Sequence, residues 1–217
     1  DISSDSVGAH LREGDRVVFS YYVPCDHCRA CHRGDYHMCM QSLASPVRPC
    51  EMAPHFVGGF AEYYYVKERQ FIFKVPDAVS DTAVAGANCA LSQVIHGFDV
   101  VGLSLGDHVV VQGAGGLGIM ACAVAKEMGA ERVIAVDLED KKLGFATEFG
   151  ATHTINPATD GDPVAKVMEL TGDGADYAFE CIGLGATVTQ RPCRSRASSV
   201  GESKLAPACQ ALKAVWE

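Results

Sequence analysis

The sequence predicts an α/β chain in which a doubly wound parallel sheet follows a smaller β-rich lobe. Three observations carry that expectation. From about Ala83 onward, apolar runs of strand length alternate with runs of helical period, the rhythm of a parallel sheet covered by helices on both faces. Within that stretch Val109-Val110-Val111 has no polar interruption, as a strand buried on both sides requires. Before about Val75 the chain instead shows short β-like runs, RVVFSYYV, FAEYYYV and FIFKV, broken by Gly, Pro and a group of cysteines.

Taken in order, the second half reads as a helix around Leu91 to Val101 ended by Gly102, strand His108–Gln112 and helix Leu117–Met128. Strand Arg132–Asp137, helix Lys141–Glu148, strand Thr152–Ile155, helix Pro163–Leu170 and strand Asp176–Cys181 follow. Two lobes joined near residue 85 are expected: residues 1–85, residues 86–190, and an atypical tail over 191–217. That tail carries a net charge of +3 against −12 for residues 1–190. Its stretch RPCRSRASSVGESK has no strand periodicity, although Leu205, Ala208, Cys209, Leu212, Val215 and Trp216 fall on one face of a short helix.

Composition narrows the function. The 217 residues are 48% hydrophobic and 21% charged, with a mean hydropathy of +0.08, so a sizeable core is available and disorder is excluded. A net charge of −9 opposes phosphate backbones and anionic lipid surfaces, which removes nucleic acid and membrane from the expected partners. No apolar run reaches the roughly 18 to 20 residues that span a bilayer, and Asp1 to Asp15 carry no basic-then-apolar leader. A cytoplasmic protein is expected.

Cys25, Cys28, Cys31 and Cys39 form C-x2-C-x2-C-x7-C in a turn-rich stretch, while the other six cysteines are scattered. Four thiolates gathered by one short loop make a closed tetrahedral site of the kind Zn2+ occupies, worth on the order of 10 kcal/mol to local folding. Such a zinc is structural, because no coordination position is left for water or substrate. An iron–sulfur run shares the spacing of the first three cysteines, but its fourth cysteine normally follows after three residues and precedes Pro, whereas Cys39 follows after seven and precedes Met40. His27, His32 and His37 lie in the same loop, either as rival ligands or as solvated histidines. A nucleic-acid-binding zinc ribbon is disfavoured by the acidic balance.

Gly113-Ala114-Gly115-Gly116-Leu117-Gly118 reads G-x-G-G-x-G between a buried strand and an apolar helix, the context a dinucleotide fingerprint needs. Gly113 allows the tight turn, Gly115 lets the backbone approach a pyrophosphate, and Gly118 permits close packing of helix on strand. The helix N-terminus then offers amide donors to the phosphates. Asp137 stands nineteen residues beyond Gly118, where a carboxylate accepts hydrogen bonds from a ribose 2′-OH and repels a 2′-phosphate. NAD is therefore expected over NADP. Asp140 is the expected cap of the next helix. Lys142 either bonds the ribose or is a solvated helix residue.

In order along the chain, GDRV, the four-cysteine knuckle, GGFAEYYYV, the cysteine in GANCALSQ, VVVQGAGGLG and VIAVD resemble the zinc-dependent alcohol dehydrogenases of the medium-chain dehydrogenase/reductase family over residues 7 to 190. The resemblance implies a Rossmann-like doubly wound parallel sheet preceded by a partial β-rich GroES-like lobe. It implies structural zinc on Cys25, Cys28, Cys31 and Cys39, with Gly113, Gly115, Gly116, Leu117, Gly118, Asp137, Lys142 and Ile182 on cofactor positions, Ile182 on the nicotinamide side. Cys89, which by itself reads as a small buried hydrophobe, matches a ligand of the family's catalytic zinc. The activity implied is NAD-dependent oxidation of a small-molecule alcohol to an aldehyde or ketone, by a homo-oligomeric parent. No catalytic residue is assigned. The family's early cysteine ligand, its Gly-His-Glu segment and its proton-relay hydroxyl precede the GDRV strand and have no match here. The expectation is an internal fragment with an altered C-terminus, inactive alone. A zinc-free quinone or enoyl reductase of the superfamily, or a non-catalytic nucleotide- and zinc-binding module, are the alternative readings.

Overall fold

In the computed structural model, which describes residues 11–43, 51–53, 55–67, 70–185 and 187, strand β1 (Val17–Phe19) opens the chain after the turn at Gly14. It is followed by helical turns α1 (Arg29–His32) and α2 (Met40–Leu43), strand β2 (Ile72–Lys74) and α3 (Asp81–Val84). β1 and β2 pair antiparallel, with Val18 opposite Phe73. The Arg16 guanidinium fixes the turn after β2 by donating to the carbonyls of Pro76 and Val79 and pairing with Asp81 at 2.6 Å. The chain divides into two units, residues 1–88 and 89–217.

The segment FAEYYYV is not a strand. Tyr65 donates one backbone bond to Phe56, and no neighbouring strand pairs with the segment among the described residues. Its alternation serves single contacts instead: the Tyr64 ring stacks on Phe19 with centroids 4.0 Å apart, and the Tyr64 hydroxyl accepts a bond from Gln70.

The second unit carries α4 (Ser92–Val101), β3 (His108–Gln112), α5 (Gly116–Glu127), β4 (Arg132–Val136) and α6 (Asp140–Glu148). β5 (His153–Ile155), α7 (Pro157–Asp160), α8 (Pro163–Thr171) and β6 (Tyr177–Glu180) complete it. α4 stops where Gly102 takes a left-handed conformation, φ +73°, which lets the amides of Gly102 and Leu103 both return to the Phe98 carbonyl. α8 starts where the Asp162 carboxylate accepts from the Val164 amide and Pro163 occupies the first helical position.

The four strands are parallel, in the order β5-β4-β3-β6. β3 is buried along its whole length, and its side chains alternate between two separate cores. Val109 and Val111, with Val133, Ala135 and Phe179, pack against Val94 and Phe98 of α4, Ala121 and Ala125 of α5, and Leu143 and Ala146 of α6. Val110, with Ile134, Val136 and Ile155, packs on the other face with Val167 of α8. Each buried valine contributes about 1.5–3 kcal/mol relative to exposure. Helices on both faces of a parallel sheet make this a doubly wound α/β fold, as the residue pattern predicts.

Several boundaries differ from the sequence expectation. α5 begins at Gly116 rather than Leu117, one residue before the apolar run. β4 ends at Val136, which leaves Asp137 just beyond it. Asp140 is not a cap. It is the first residue of α6, with Glu139 in the cap position, and its carboxylate accepts from the Asn156 side chain at 2.6 Å. The tail, including the helix expected over Leu205 to Trp216, lies outside the described residues, as do Asp1 to His10. No helix of the described residues is long and apolar enough to cross a membrane.

Candidate zinc knuckle and dinucleotide site

The four knuckle cysteines converge. Their Sγ atoms all lie within 4.8 Å of one another, with Cys25 to Cys31 at 3.9 Å and Cys28 to Cys31 at 3.5 Å. Zinc–sulfur bonds of about 2.3 Å in a tetrahedron place the sulfurs about 3.8 Å apart, so the cluster fits the ion. α1 presents Cys28 and Cys31 one turn apart, and the turn Tyr36–Met38 returns the chain to Cys39. Backbone amides prepare the thiolates. Cys28 is lowered from its ordinary value chiefly by the Cys31 amide, and Cys39 is lowered to about 6 chiefly by the Cys25 amide. Burial pushes Cys31 in the opposite direction, up to about 12. His27, His32 and His37 are exposed and stand outside the cluster, and His27 Nδ1 lies 2.7 Å from the Cys25 carbonyl.

At the carboxyl end of β3 the chain turns at Gly113, φ +92°, and enters α5. A Cβ on Gly118 would lie 1.8 Å from the Gly113 carbonyl oxygen, so only glycine allows this closeness of loop and helix. Gly115 and Gly116 are different: a Cβ on either would meet nothing within 4 Å, which is the open cradle a pyrophosphate needs. Leu117 points the other way and packs on the core beneath α5.

The Asp137 carboxylate sits beside this loop. It accepts from the Ala114 amide at 2.8 Å and from the Glu139 amide at 3.0 Å. Lys142 donates to Glu139 at 2.6 Å, and that bond, with the field of Asp137, raises its pKa. Ile182, just past β6, would lie 2.7 Å from a Cβ on Gly113. Gly113 to Gly118, Asp137 and Ile182 are therefore gathered at the carboxyl ends of β3, β4 and β6, where the strand order reverses. Lys142 is close by but engaged with Glu139.

Cys89 is exposed, so the reading of it as a buried hydrophobe does not hold. It lies in a five-residue widened helical turn, Ala87–Leu91, an irregularity common at functional sites, and Gln93 donates to its sulfur at 3.7 Å. Among the described residues the knuckle is the one group of three or more metal-ligating side chains. Sequence reasoning missed Glu180, whose carboxylate binds the amides of Ile182 and Gly183. An acid two and three residues ahead of an Ile-Gly pair that follows a strand was the available signal.

In chain order, a four-cysteine knuckle precedes a doubly wound sheet with a glycine loop at the end of its first strand. The chain belongs to the zinc-dependent alcohol dehydrogenases of the medium-chain dehydrogenase/reductase family. The profile of the alcohol dehydrogenase GroES-like domain matches residues 3–77, and that of the zinc-binding dehydrogenase matches residues 116–192. D-xylulose reductase A of Aspergillus niger is 34% identical over 184 residues, covering 82% of this chain and 49% of that protein. Sorbitol dehydrogenase of Bombyx mori is 32% identical over 184 residues, 81% of this chain and 49% of that protein. Among solved structures, an alcohol dehydrogenase of Thermotoga maritima superposes with a TM-score of 0.73 at 28% identity, covering 82% of this chain and 50% of that one. A structure from Sinorhizobium meliloti, named as a zinc-binding dehydrogenase and bound to NADP, gives 0.71 at 27% identity, covering 92% and 60%. The chain spans about half the length of the curated relatives it matches. Zinc and NAD(P) are the cofactors these findings support.

Proposed function

We propose that the protein carrying this chain oxidises an alcohol, most specifically a secondary hydroxyl of a polyol, to a carbonyl with NAD as acceptor. The observation that carries the reading is Asp137 beside the Gly113–Gly118 cradle at the point where the strand order reverses. The polyol class is taken from the D-xylulose and sorbitol enzymes that the chain resembles.

The residues present have separable tasks. Gly115 and Gly116 leave room for the pyrophosphate, and the first amides of α5 face it. Asp137 takes the adenosine ribose, and its charge disfavours a 2′-phosphate, so NAD is favoured even though the Sinorhizobium relative holds NADP. Ile182 offers an apolar, exposed surface at the other side of the crevice. Cys25, Cys28, Cys31 and Cys39 hold a structural zinc that stabilises the first unit, and Cys89 is assigned to the catalytic metal. Bound at this cradle, a nicotinamide would supply a hydride acceptor, and Cys89 would be one ligand of a metal that would supply Lewis acidity, although no group of three ligands among the described residues includes Cys89.

A second reading is favoured by the single ligand cluster among the described residues: this chain by itself binds zinc and dinucleotide without turning over. The test is calorimetric titration with NAD and NADP, followed by a turnover assay with sorbitol, xylitol, 2,3-butanediol and ethanol on this chain and on a version extended at both ends. NAD binding with turnover only in the longer protein is expected. Absence of NAD binding in both refutes the dehydrogenase reading.

A further inference from the structure

Glu180 is the last residue of β6, opposite Gln112 of β3, and so lies one residue before both strands release their loops. Its carboxylate is turned forward along the chain. Oε1 accepts from the Ile182 amide at 2.8 Å, from the Gly183 amide at 3.0 Å and from the Thr187 hydroxyl at 2.9 Å. Oε2 accepts a second approach of the Gly183 amide at 3.0 Å. These bonds bring Ile182, Gly183 and Thr187 back onto the Glu180 carboxylate, with Gly183 at φ +79°. The turn in turn sets Ile182 against Gly113, where even one added carbon would collide.

The placement of that turn fixes its role. In a doubly wound sheet the dinucleotide lies across the carboxyl ends of the strands at the reversal of strand order, here between β3 and β6. The pyrophosphate belongs at the start of α5, and the adenosine ribose at Asp137 beyond β4. The remaining half of the molecule, the nicotinamide riboside, extends to the opposite side, over the end of β6. The wall it meets there is the Ile182–Gly183 segment.

We infer that Glu180 is a positioning residue for the nicotinamide half of the cofactor, holding the Ile182–Gly183 wall at the height the ring requires through three hydrogen bonds on one carboxylate oxygen. It touches neither cofactor nor substrate. The inference rests on the dinucleotide reading proposed above and goes beyond it by separating the two halves of the binding site.

The test compares NAD with ADP-ribose, which lacks the nicotinamide ring, by calorimetric titration of the wild-type chain, Glu180→Ala and Glu180→Gln. Hydrogen exchange of the amides over residues 181–184 is followed in parallel. In Glu180→Ala, NAD should weaken by about tenfold or more, while ADP-ribose binding stays within a factor of about two or three. Exchange at Ile182 and Gly183 should rise. Glu180→Gln keeps an oxygen where Oε1 stands and should restore both readouts. If Glu180→Ala does not fold, Glu180→Asp, whose shorter arm withdraws the acceptor, takes its place. Equal losses for NAD and ADP-ribose, or no loss, overturn the inference, as does unchanged exchange. Failure of the wild-type chain to bind either ligand overturns the dinucleotide reading and this role with it, and the exchange arm then still reports whether the tether exists.

Discussion

Asp137 accepts a hydrogen bond from the backbone amide of Ala114 at 2.8 Å, tying the end of β4 to the glycine loop that follows β3. The carboxylate expected to select the cofactor is therefore also part of the scaffold that shapes its phosphate cradle. Asp137→Ser should do two things at once. The preference for NAD over NADP should shrink, because the repulsion of a 2′-phosphate is gone. Affinity for NAD should also fall by about tenfold or more, because a hydrogen bond to a charged acceptor contributes about 1.5–3 kcal/mol. Calorimetry with both cofactors measures this, and a wild-type chain that binds NAD and NADP equally well shows the assignment to be wrong.

The knuckle should hold one zinc per chain. Metal analysis after dialysis is expected to find it, and Cys28→Ser or Cys39→Ser should release it, since each removes one of four ligands that converge within 4.8 Å. Loss of the metal should unfold the first unit in particular, because metal binding at such sites contributes on the order of 10 kcal/mol to folding. Iron in place of zinc, or unchanged thermal unfolding after chelation, contradicts the expectation.

The knuckle and the glycine cradle were legible because each is written in consecutive residues whose spacing fixes its geometry. Cys25 to Cys39 span one loop, and Gly113 to Gly118 bridge one strand and one helix. The doubly wound sheet was legible from the alternating apolar periods. What could not be read depends on register between distant segments. The Ala114–Asp137 bond exists because β3 and β4 pair with Gln112 opposite Val136, which brings the two loops level. FAEYYYV has strand composition but no paired neighbour among the described residues, so composition alone misled. Asp140 has a capping side chain but is engaged by Asn156 instead, a partner sixteen residues away.

The buried thiol of Cys122 and the partly buried thiol of Cys181 should set an alkaline limit on the stability of the second unit. Burial pushes Cys122 and Cys181 from an ordinary value of 9.0 up to about 12, with the Glu180 charge adding to the effect on Cys181. Their folded pKa is raised, so the contribution is fully present below pH 9 and is lost as pH rises toward 12. In that window the unfolded chain sheds protons the folded chain retains, a slope of up to about 1.4 kcal/mol per pH unit for each thiol. Urea midpoints measured between pH 8 and 11 should fall, and Cys122→Ala should flatten the fall. At pH 8, iodoacetamide should modify exposed Cys89 well before Cys122 or Cys181, as peptide mass spectrometry would read. Equal rates at the three positions would mean that the core around Val109 and Val111 is open to solvent.

Gly115 and Gly118 lie three residues apart in one motif, yet alanine should affect them in opposite ways. At Gly118 an added Cβ falls 1.8 Å from the Gly113 carbonyl oxygen and 3.3 Å from Val111, inside the contact between helix and strand. Relief requires α5 to move off β3, disturbing a core built on Val109 and Val111, so Gly118→Ala should cost several kcal/mol of stability, about the 1–3 kcal/mol of ordinary overpacking or more. At Gly115 the backbone, φ −75° and ψ −168°, is open to any residue, and the added Cβ meets nothing within 4 Å. Gly115→Ala should therefore fold within about 0.5 kcal/mol of wild type, while its methyl group takes space reserved for the pyrophosphate. NAD affinity should drop by about tenfold or more, on the scale of about 1.4 kcal/mol for each factor of ten. Chemical unfolding and NAD titration of the two variants separate these outcomes. A Gly115→Ala chain that binds NAD as well as wild type would place the phosphates elsewhere than over Gly115.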